Sequence, residues 1–363
     1  MNFLSLIIPC YNEEQTLESC VIRCMKLIEH SNIQDFKLEL IIVDDGSTDQ
    51  SFAIATSLQE RYPNIIRTLK QEKNQGKGAA VRRGLSIANG DMVGIQDADE
   101  EYNPLDYLTL MQPMIDGRAD VVYGSRYLKQ ETRRILYFWH TWMNRALTFT
   151  SNMFTNLDIT DMETCYKLFS RKAVEIISPL LKENQFGFEP EVTALISQHN
   201  LRLYECAISY TPRTYEEGKK IGWRDGVHAL YAILHYGAHT APLPMQILLY
   251  TFIGFCAALV NIFTFSTFLE METSIPTATL LAFAIAAVVN YFLCIAILFR
   301  HKARWSSRGE IIAYSLTVCI MAIIDIAITS GLAAIGCNVY FSKIIGILVG
   351  FAGNFSLRKY FVF

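Results

Sequence analysis

The chain has 363 residues, 51% hydrophobic and 18% charged, with a formal net charge of −3 and a mean hydropathy of +0.22. That is too apolar for an ordinary soluble enzyme, and the lack of a basic surplus argues against a nucleic-acid partner. The apolar excess sits at one end: residues 243–363 carry seven Lys/Arg and four Asp/Glu, leaving 25 basic and 31 acidic residues before them. A mildly acidic domain therefore precedes a basic, apolar one. Nine cysteines show no Cys-X-X-Cys pair and seven histidines form no cluster, which argues against zinc or a disulfide framework and for a reducing cytosol around the polar part.

In chain order, the first residues have no basic flank and only a short apolar run, so they read as a strand and not as a signal peptide. Apolar runs of strand length fall at 4–8, 38–43, 65–69, 92–96 and 119–123, with helical stretches near 13–30, 48–61, 77–89 and 104–116 between them. This rhythm, with nearly continuous Ile, Leu and Val in the strands, predicts an α/β domain whose parallel sheet is covered on both faces. Ligands of such sheets bind beyond the carboxyl ends of the strands. The segments there are Pro9 to Glu13, Asp44 to Asp49, Asn74 to Ala79, Asp97-Ala98-Asp99 and Gly124-Ser125-Arg126. Each alone reads as a turn or helix cap, but five on one edge point to a site. Asp97 and Asp99, one residue apart, point the same way if the strand keeps its alternation, and such a pair holds a divalent cation against a diphosphate.

The remainder reads as four membrane helices. A segment at 223–241, rich in Trp, Tyr and His, leads in as an interfacial helix. Spans follow at about 243–268, 275–299, 311–335 and 339–361, each long enough for a hydrocarbon core of ~30 Å. Glu270 and Glu272 follow the first span, Arg300, Lys302, Arg304 and Arg308 the second, and Arg358 and Lys359 close the chain. Positive-inside counting places the polar domain, the 300–310 loop and the C-terminus in the cytoplasm of a multi-pass plasma-membrane protein. Each span carries one strongly polar residue, Asn261, Asn290, Asp325 and Asn354. By depth Asn261 faces Asp325, and Asn290 faces Asn354. An intramembrane acid is a functional candidate, whereas the asparagines are explained by interhelical hydrogen bonds alone.

The segments at 9–13, 43–49, 74–80, 96–99 and 124–127 resemble, in order, the signature series of family 2 glycosyltransferases, nearest the dolichyl-phosphate mannose synthases and bacterial polyprenyl-phosphate glycosyltransferases. The likeness covers roughly residues 3–235. It implies a GT-A domain over 1–222, a nucleotide-sugar donor (a UDP- or GDP-hexose) and a Mg²⁺ or Mn²⁺ ion. By resemblance Pro9, Tyr11 and Glu13 cradle the nucleotide, Val43 lies beside it and Asp44 or Asp45 reads the base. Asp97 and Ala98 lie near the ribose, and Asp99 is the principal metal ligand with Asp97 and Glu101. Glu101 departs from relatives that place Gln there, and Glu is an equally hard oxygen ligand. Lys77 is a nucleotide contact or a helix cap. Asp161 to Lys167 and Phe186 to Glu189 look like sugar-pocket segments, with Cys165 as packing.

A sugar hydroxyl acceptor needs a general base, whereas a polyprenyl phosphate is already anionic and needs only to be held. Arginine suits that task. Arg126 is the first candidate; Arg133, Arg134 and Arg145 follow, with Arg134 preferred as the second. Arg213 and Lys219, six residues apart, resemble the family's flexible basic loop. The 242–363 tail resembles the small membrane proteins of O-antigen glucosylation, proposed to move glycosyl-lipids. These features favour inverting hexose transfer to a polyprenyl phosphate at the cytoplasmic face. Alternatives are a processive polysaccharide synthase, which would carry a Gln-X-X-Arg-Trp segment absent here, and a glycolipid translocator with an accessory domain. The sugar, the lipid length and a homo-oligomeric state are not legible.

Overall fold

The computed structural model describes residues 2–128, 134, 135, 137–212, 223–273, 275–299 and 307–362. The chain forms two compact units, Met1–Thr240 and Ala241–Phe363.

The first unit is a seven-stranded sheet covered by helices. In chain order it contains β1 (Phe3–Cys10), α1 (Leu17–His30), β2 (Lys37–Asp44), α2 (Ser51–Arg61), β3 (Ile66–Lys70), α3 (Lys77–Leu85) and β4 (Met92–Ile95). Then come α4 (Tyr107–Ile115), β5 (Val121–Ser125), α5 (Phe138–Thr155), β6 (Lys167–Ser170), α6 (Arg171–Ile177), α7 (Phe188–Gln198), β7 (Leu203–Ala207) and α8 (Trp223–Gly237). The strand order is β3-β2-β1-β4-β6-β5-β7. β1 pairs in parallel with β2 and β4, so Cys10 lies beside Asp44 and Ile7 beside Ile95. Leu4, Leu6, Ile7 and Ile8 are buried on alternating faces, as are Leu40, Ile41, Ile42 and Val43. That is why these strands read as unbroken apolar runs.

The strands expected from the rhythm are all present within two residues of their expected bounds. The sheet is also mostly parallel, as a GT-A domain implies, with one exception. β6 runs antiparallel between β4 and β5, because the long excursion through α5 returns the chain from the opposite end of the sheet. Four residues, Lys167–Ser170, are too few for periodicity to distinguish from a loop. The helix at 223–237 also packs on α5 and α7 of the same unit. Its Ala229, Ala232 and Ile233 are buried while Val227 and Tyr231 are more than half exposed.

The second unit consists of α9 (Leu243–Glu270), α10 (Ile275–Leu293), α11 (Ser307–Ala334) and α12 (Val339–Leu357). Wider π-helical turns follow α10 at Cys294–Phe299 and α12 at Arg358–Val362. α9 packs on α10, and α11 on α12. Among the described residues, Leu243–Glu270 and Leu281–Leu298 are long and apolar enough to cross a membrane. Asp325 lies on α11 and Asn261 on α9. Asn290 meets α12 at Arg358, not at Asn354: its Oδ1 accepts from Arg358 Nη1, and also from Tyr314 Oη at 3.3 Å.

Gly94 shows how closely the sheet centre is packed. A Cβ there would lie 2.6 Å from the ring of Tyr107 and 2.8 Å from Leu6, and Tyr107 is pinned by its 2.6 Å hydrogen bond to the Ile95 carbonyl. Gly94→Ala is expected to destabilise the full-length protein by about 1–3 kcal/mol through overpacking. Chemical denaturation followed by near-UV circular dichroism checks this, and an unchanged midpoint would show that the layer yields.

Candidate active site

Strand order reverses between β1 and its neighbours β2 and β4, which opens a crevice outside their carboxyl ends. Three loops meet there and are laced to one another. Asn12 takes a left-handed φ of 53°. Its N–H donates to Ser47 Oγ at 3.0 Å, and its side-chain oxygen accepts from the Thr48 N–H at 2.9 Å. Glu13 N–H donates to Ser51 Oγ. Tyr11 is exposed above this lacing. The next loop is held by Asp45, whose carboxylate accepts from the Gln75 N–H (2.8 Å), the Gly76 N–H (2.7 Å) and Gln71 Nε2 (2.9 Å). Gly76 has φ +102°, and a Cβ there would strike the Asn184 carbonyl, so only glycine lets α3 start at this point.

The first residue of α3 is Lys77, and its ammonium reaches Asp97 Oδ1 at 2.9 Å and Glu189 Oε1 at 3.5 Å. Burial disfavours the Lys77 charge, but Asp97, then Cys165 and Glu189, outweigh it and hold the ammonium well above its ordinary range. Asp99 turns back to accept the Glu101 N–H at 3.2 Å, and Glu101 accepts from the Tyr210 hydroxyl at 2.6 Å.

Beside them lies Arg126, 8% exposed. Its Nε and Nη2 fork onto Asp161 at 2.7 and 2.8 Å, and its backbone N–H reaches the same carboxylate at 3.0 Å. The guanidinium lies 5.1 Å from the ring centre of Tyr210 and 5.9 Å from that of Tyr127. Arg145 approaches the Tyr127 ring as well, at 5.5 Å, and Asn144 Nδ2 donates to its hydroxyl. Asp161 thus aims the arginine through two of the five guanidinium N–H groups. Arg134 donates to the Pro212 carbonyl at 2.9 Å. Arg133, Arg213 and Lys219 lie outside the described residues.

One contrast marks this edge. Elsewhere, buried carboxylates are satisfied. Glu39 accepts from Ser5, Arg67 and Asn89; Glu191 accepts from the Lys182 and Glu183 N–H groups; and Asp120 is forked by Arg202, which lowers its carboxyl to about 2. At the crevice Asp44 Oδ1, Glu163 Oε1 and Glu189 Oε2 are buried without a hydrogen bond among the described residues. Unsatisfied buried acceptors are costly and mark places where a ligand completes the set. Glu163 and Lys167 share this pocket. The Lys167 ammonium is fully buried, donating to the Met162 carbonyl at 2.9 Å and to the Thr164 carbonyl. Cys165 is buried, and burial pushes its thiol up, as befits packing and not a nucleophile.

The residues fit a divalent cation in one mode. Among the described residues no three His, Cys, Asp or Glu groups gather to form an all-protein cage. Asp97 already holds one cation, the Lys77 ammonium, and Asp99 offers a hard carboxylate two residues on. Mg²⁺ commonly takes one or two carboxylates and completes its shell with substrate phosphates.

The sequence singled out Asp44, Asp45, Lys77, Asp97, Asp99, Glu101 and Arg126, and the fold brings them to one edge. It did not disclose the Asp161 fork onto Arg126, or the Tyr102–Tyr210 wall, whose rings lie 5.0 Å apart. Asp161 is 35 residues from Arg126, and no local pattern links them.

Comparison with known proteins agrees with this geometry. The glycosyl transferase family 2 description matches residues 5–177, and the GtrA/DPMS transmembrane domain matches residues 249–363. A dolichyl-phosphate beta-glucosyltransferase of Drosophila melanogaster is 30% identical over 218 residues, 57% of this chain and 67% of that protein, so the chain spans about two thirds of its length. A dolichol-phosphate mannosyltransferase of Pyrococcus furiosus is 22% identical over 361 residues, 98% of each chain. A glucosyl-3-phosphoglycerate synthase of Mycobacterium tuberculosis, solved with Mn²⁺ and UDP, shares the fold. Its TM-score is 0.50 at 18% identity, over 66% of this chain and 81% of that one.

Burial pushes the Glu163 carboxyl up to about 8, with Glu189 adding to the effect. A carboxyl raised above its unfolded value of ~4.3 holds more proton folded than unfolded. The stability it contributes is therefore present at low pH and is lost as pH rises towards 8. Glu163→Gln should remove this term, so the variant in detergent loses less melting temperature than wild type between about pH 5 and 8. Parallel curves would show that Glu163 ionises without penalty.

Proposed function

Because the chain belongs to glycosyl transferase family 2 and carries a GtrA/DPMS transmembrane domain, we propose that it transfers a hexose, with inversion, from a nucleoside-diphosphate sugar to a polyprenyl phosphate at the cytoplasmic face of a membrane. One observation carries the reading: an anionic edge for the donor (Asp44, Asp97, Asp99) and a cationic one for the acceptor (Arg126 on Asp161) share a crevice, joined through Tyr210. Tyr210 bonds Glu101 on one side and faces Arg126 on the other.

On the donor side, Asp44 keeps a buried acceptor oxygen for the base, while the oxygens of Asp45 are committed to the 71–76 loop. Pro9, Tyr11, Glu13, Val43 and Ala98 would line the nucleotide, with Pro9 next to Val43 across the β1–β2 pair. Lys77 exchanges Asp97 for the diphosphate. Asp99, with Asp97 and Glu101, would hold Mg²⁺ or Mn²⁺, which when bound offsets charge on the departing diphosphate. Glu163 and Glu189 accept hydrogen bonds from the hexose hydroxyls.

On the acceptor side, a prenyl phosphate oxygen attacks the anomeric carbon as the bond to the diphosphate breaks. The attacking group is already ionised, so no side chain need take a proton. Arg126 presents its outer edge to that phosphate. Arg134, or Arg145, which like Arg126 lies near the Tyr127 ring, would share it. Arg213 and Lys219 complete the proposed clamp from a segment outside the described residues.

The lipid head lies at the membrane surface, and the first unit has a face suited to it. At the start of α5, Phe138 is 70% and Trp139 74% exposed, with Trp142 beside them; Val227 and Tyr231 on α8 add to the exposed apolar surface. Aromatic rings of this kind settle at the headgroup level. The four helices from Leu243 onward are read as four spans with the C-terminus cytoplasmic.

The decisive assay offers UDP- and GDP-hexoses to membranes with and without undecaprenyl phosphate. Nucleoside diphosphate released only with the lipid phosphate supports the proposal, and equal release without it counts against it. Asp99→Ala is expected to lose about 10²–10³-fold in turnover with normal insertion, and EDTA to act likewise; near-normal turnover in either case would remove the metal role. Arg126→Lys should lose transfer strongly while nucleotide-sugar binding holds, because a point charge does not reproduce the fork. Parallel loss of donor affinity would move Arg126 to the donor side.

A further inference from the structure

The membrane unit contains a buried cation for which nothing above has a use. Arg358 follows α12 and is 6% exposed. Its guanidinium lies 4.6 Å from the ring centre of Tyr314 on α11 and 5.6 Å from that of Tyr250 on α9. Nη1 donates to Asn290 Oδ1 and lies 3.9 Å from Cys294 Sγ, both at the end of α10. All four helices therefore contribute to the cage, and every one of these partners is neutral. Glu310, the acid on the facing helix, accepts from the Tyr291 hydroxyl at 3.0 Å. Among the described residues no ion pair joins a carboxylate to Arg358, and its Nε is buried without an acceptor.

One helical turn earlier, Asn354 Oδ1 is likewise buried without a donor among the described residues. A charge removed from water with no counter-charge costs several kcal/mol, and in a membrane such a residue marks a functional site by default. The two unsatisfied groups have opposite senses. Together they suit a ligand with anionic oxygens for the guanidinium and an O–H for the amide. A singly protonated phosphate monoester has both. The level within the bundle also fits. Tyr250 is seven residues into α9 and Tyr314 seven into α11, each ~10 Å from the helix start, while Asn290 and Arg358 lie at the carboxyl ends of α10 and α12.

We propose that Arg358 and Asn354 form a lipid-phosphate site inside the membrane unit, which takes the monoester head of a polyprenyl phosphate. The proposal rests on the acceptor class given under Proposed function and adds a second station for that lipid, apart from Arg126. The tyrosine faces exclude water and the planar fork matches phosphate oxygens, while the prenyl chain lies against the apolar helices.

The test is direct binding, which needs no turnover. The purified full-length protein in detergent is offered radiolabelled undecaprenyl phosphate, alone and against excess phosphatidylglycerol or inorganic phosphate. Wild type is expected to retain the lipid. Arg358→Gln should weaken retention by roughly tenfold or more, with a smaller loss in Arg358→Lys and in Asn354→Leu. Phosphatidylglycerol, a diester, should displace little. If Arg358→Gln does not fold, as size-exclusion and melting profiles would show, the other two variants decide the matter. Retention equal to wild type in all folded variants would overturn the proposal, as would displacement by phosphatidylglycerol as effective as by unlabelled prenyl phosphate. Wild type that binds the lipid through Arg358 but transfers no sugar to it would refute the catalytic reading and leave this site standing.

Discussion

A carboxylate or guanidinium taken out of water must be met by groups of opposite character, and this requirement sorts the buried charges of this chain into two kinds. At the amino edge of the sheet and along its flank, Glu39, Glu191 and Asp120 are fully answered, by side chains and N–H groups that tie one element to the next. At the carboxyl edge, answers stop short on Asp44, Glu163 and Glu189. The fold supports that cost with a rigid frame. β1 is locked between two parallel neighbours, and the loops that leave those strands are bonded to each other before any substrate arrives.

Within that frame the charges of the crevice are poised, not neutralised. Lys77 shares its ammonium between Asp97 and Glu189, so a diphosphate arriving there finds a cation whose partners are themselves candidates for a metal ion and a sugar. Arg126 is aimed by Asp161 from behind and screened from water by Tyr102, Tyr127 and Tyr210. The low dielectric that makes such charges costly also strengthens their hold on a ligand of the right sign. Tyr210 lies between the two halves, bonded to Glu101 and facing Arg126.

The membrane unit applies the same rule in a harsher solvent. Apolar helix faces need no explanation in lipid, whereas Arg358 with only neutral partners does. The asparagines serve as hydrogen-bonding glue in one case, Asn290, whose oxygen is shared by Arg358 and Tyr314. Asn354 does not follow suit, and it lies on the same helix as the unanswered arginine.

The order of strands and helices in the first unit, the apolar character of the tail and the set of residues at the sheet's carboxyl edge could all be read from the chain. Each depends on local pattern: runs of Ile, Leu and Val, turn residues after them, and hydropathy summed over a span. Long-range partners decided the rest. The antiparallel β6 is too short to carry a period. Asp161 is distant in sequence from the arginine it orients. Spacing favours Arg134 as the second arginine; in the fold Arg134 donates to the Pro212 carbonyl, and Arg145 lies near the Tyr127 ring that Arg126 also approaches. Whether Asp44 or Asp45 keeps an open oxygen turns on where residues 71–76 fold back, which neighbouring residues cannot specify. A residue's chemistry is written in its type; whether that chemistry is spent on the scaffold or held for a ligand is settled by what tertiary packing brings within about 3 Å of it.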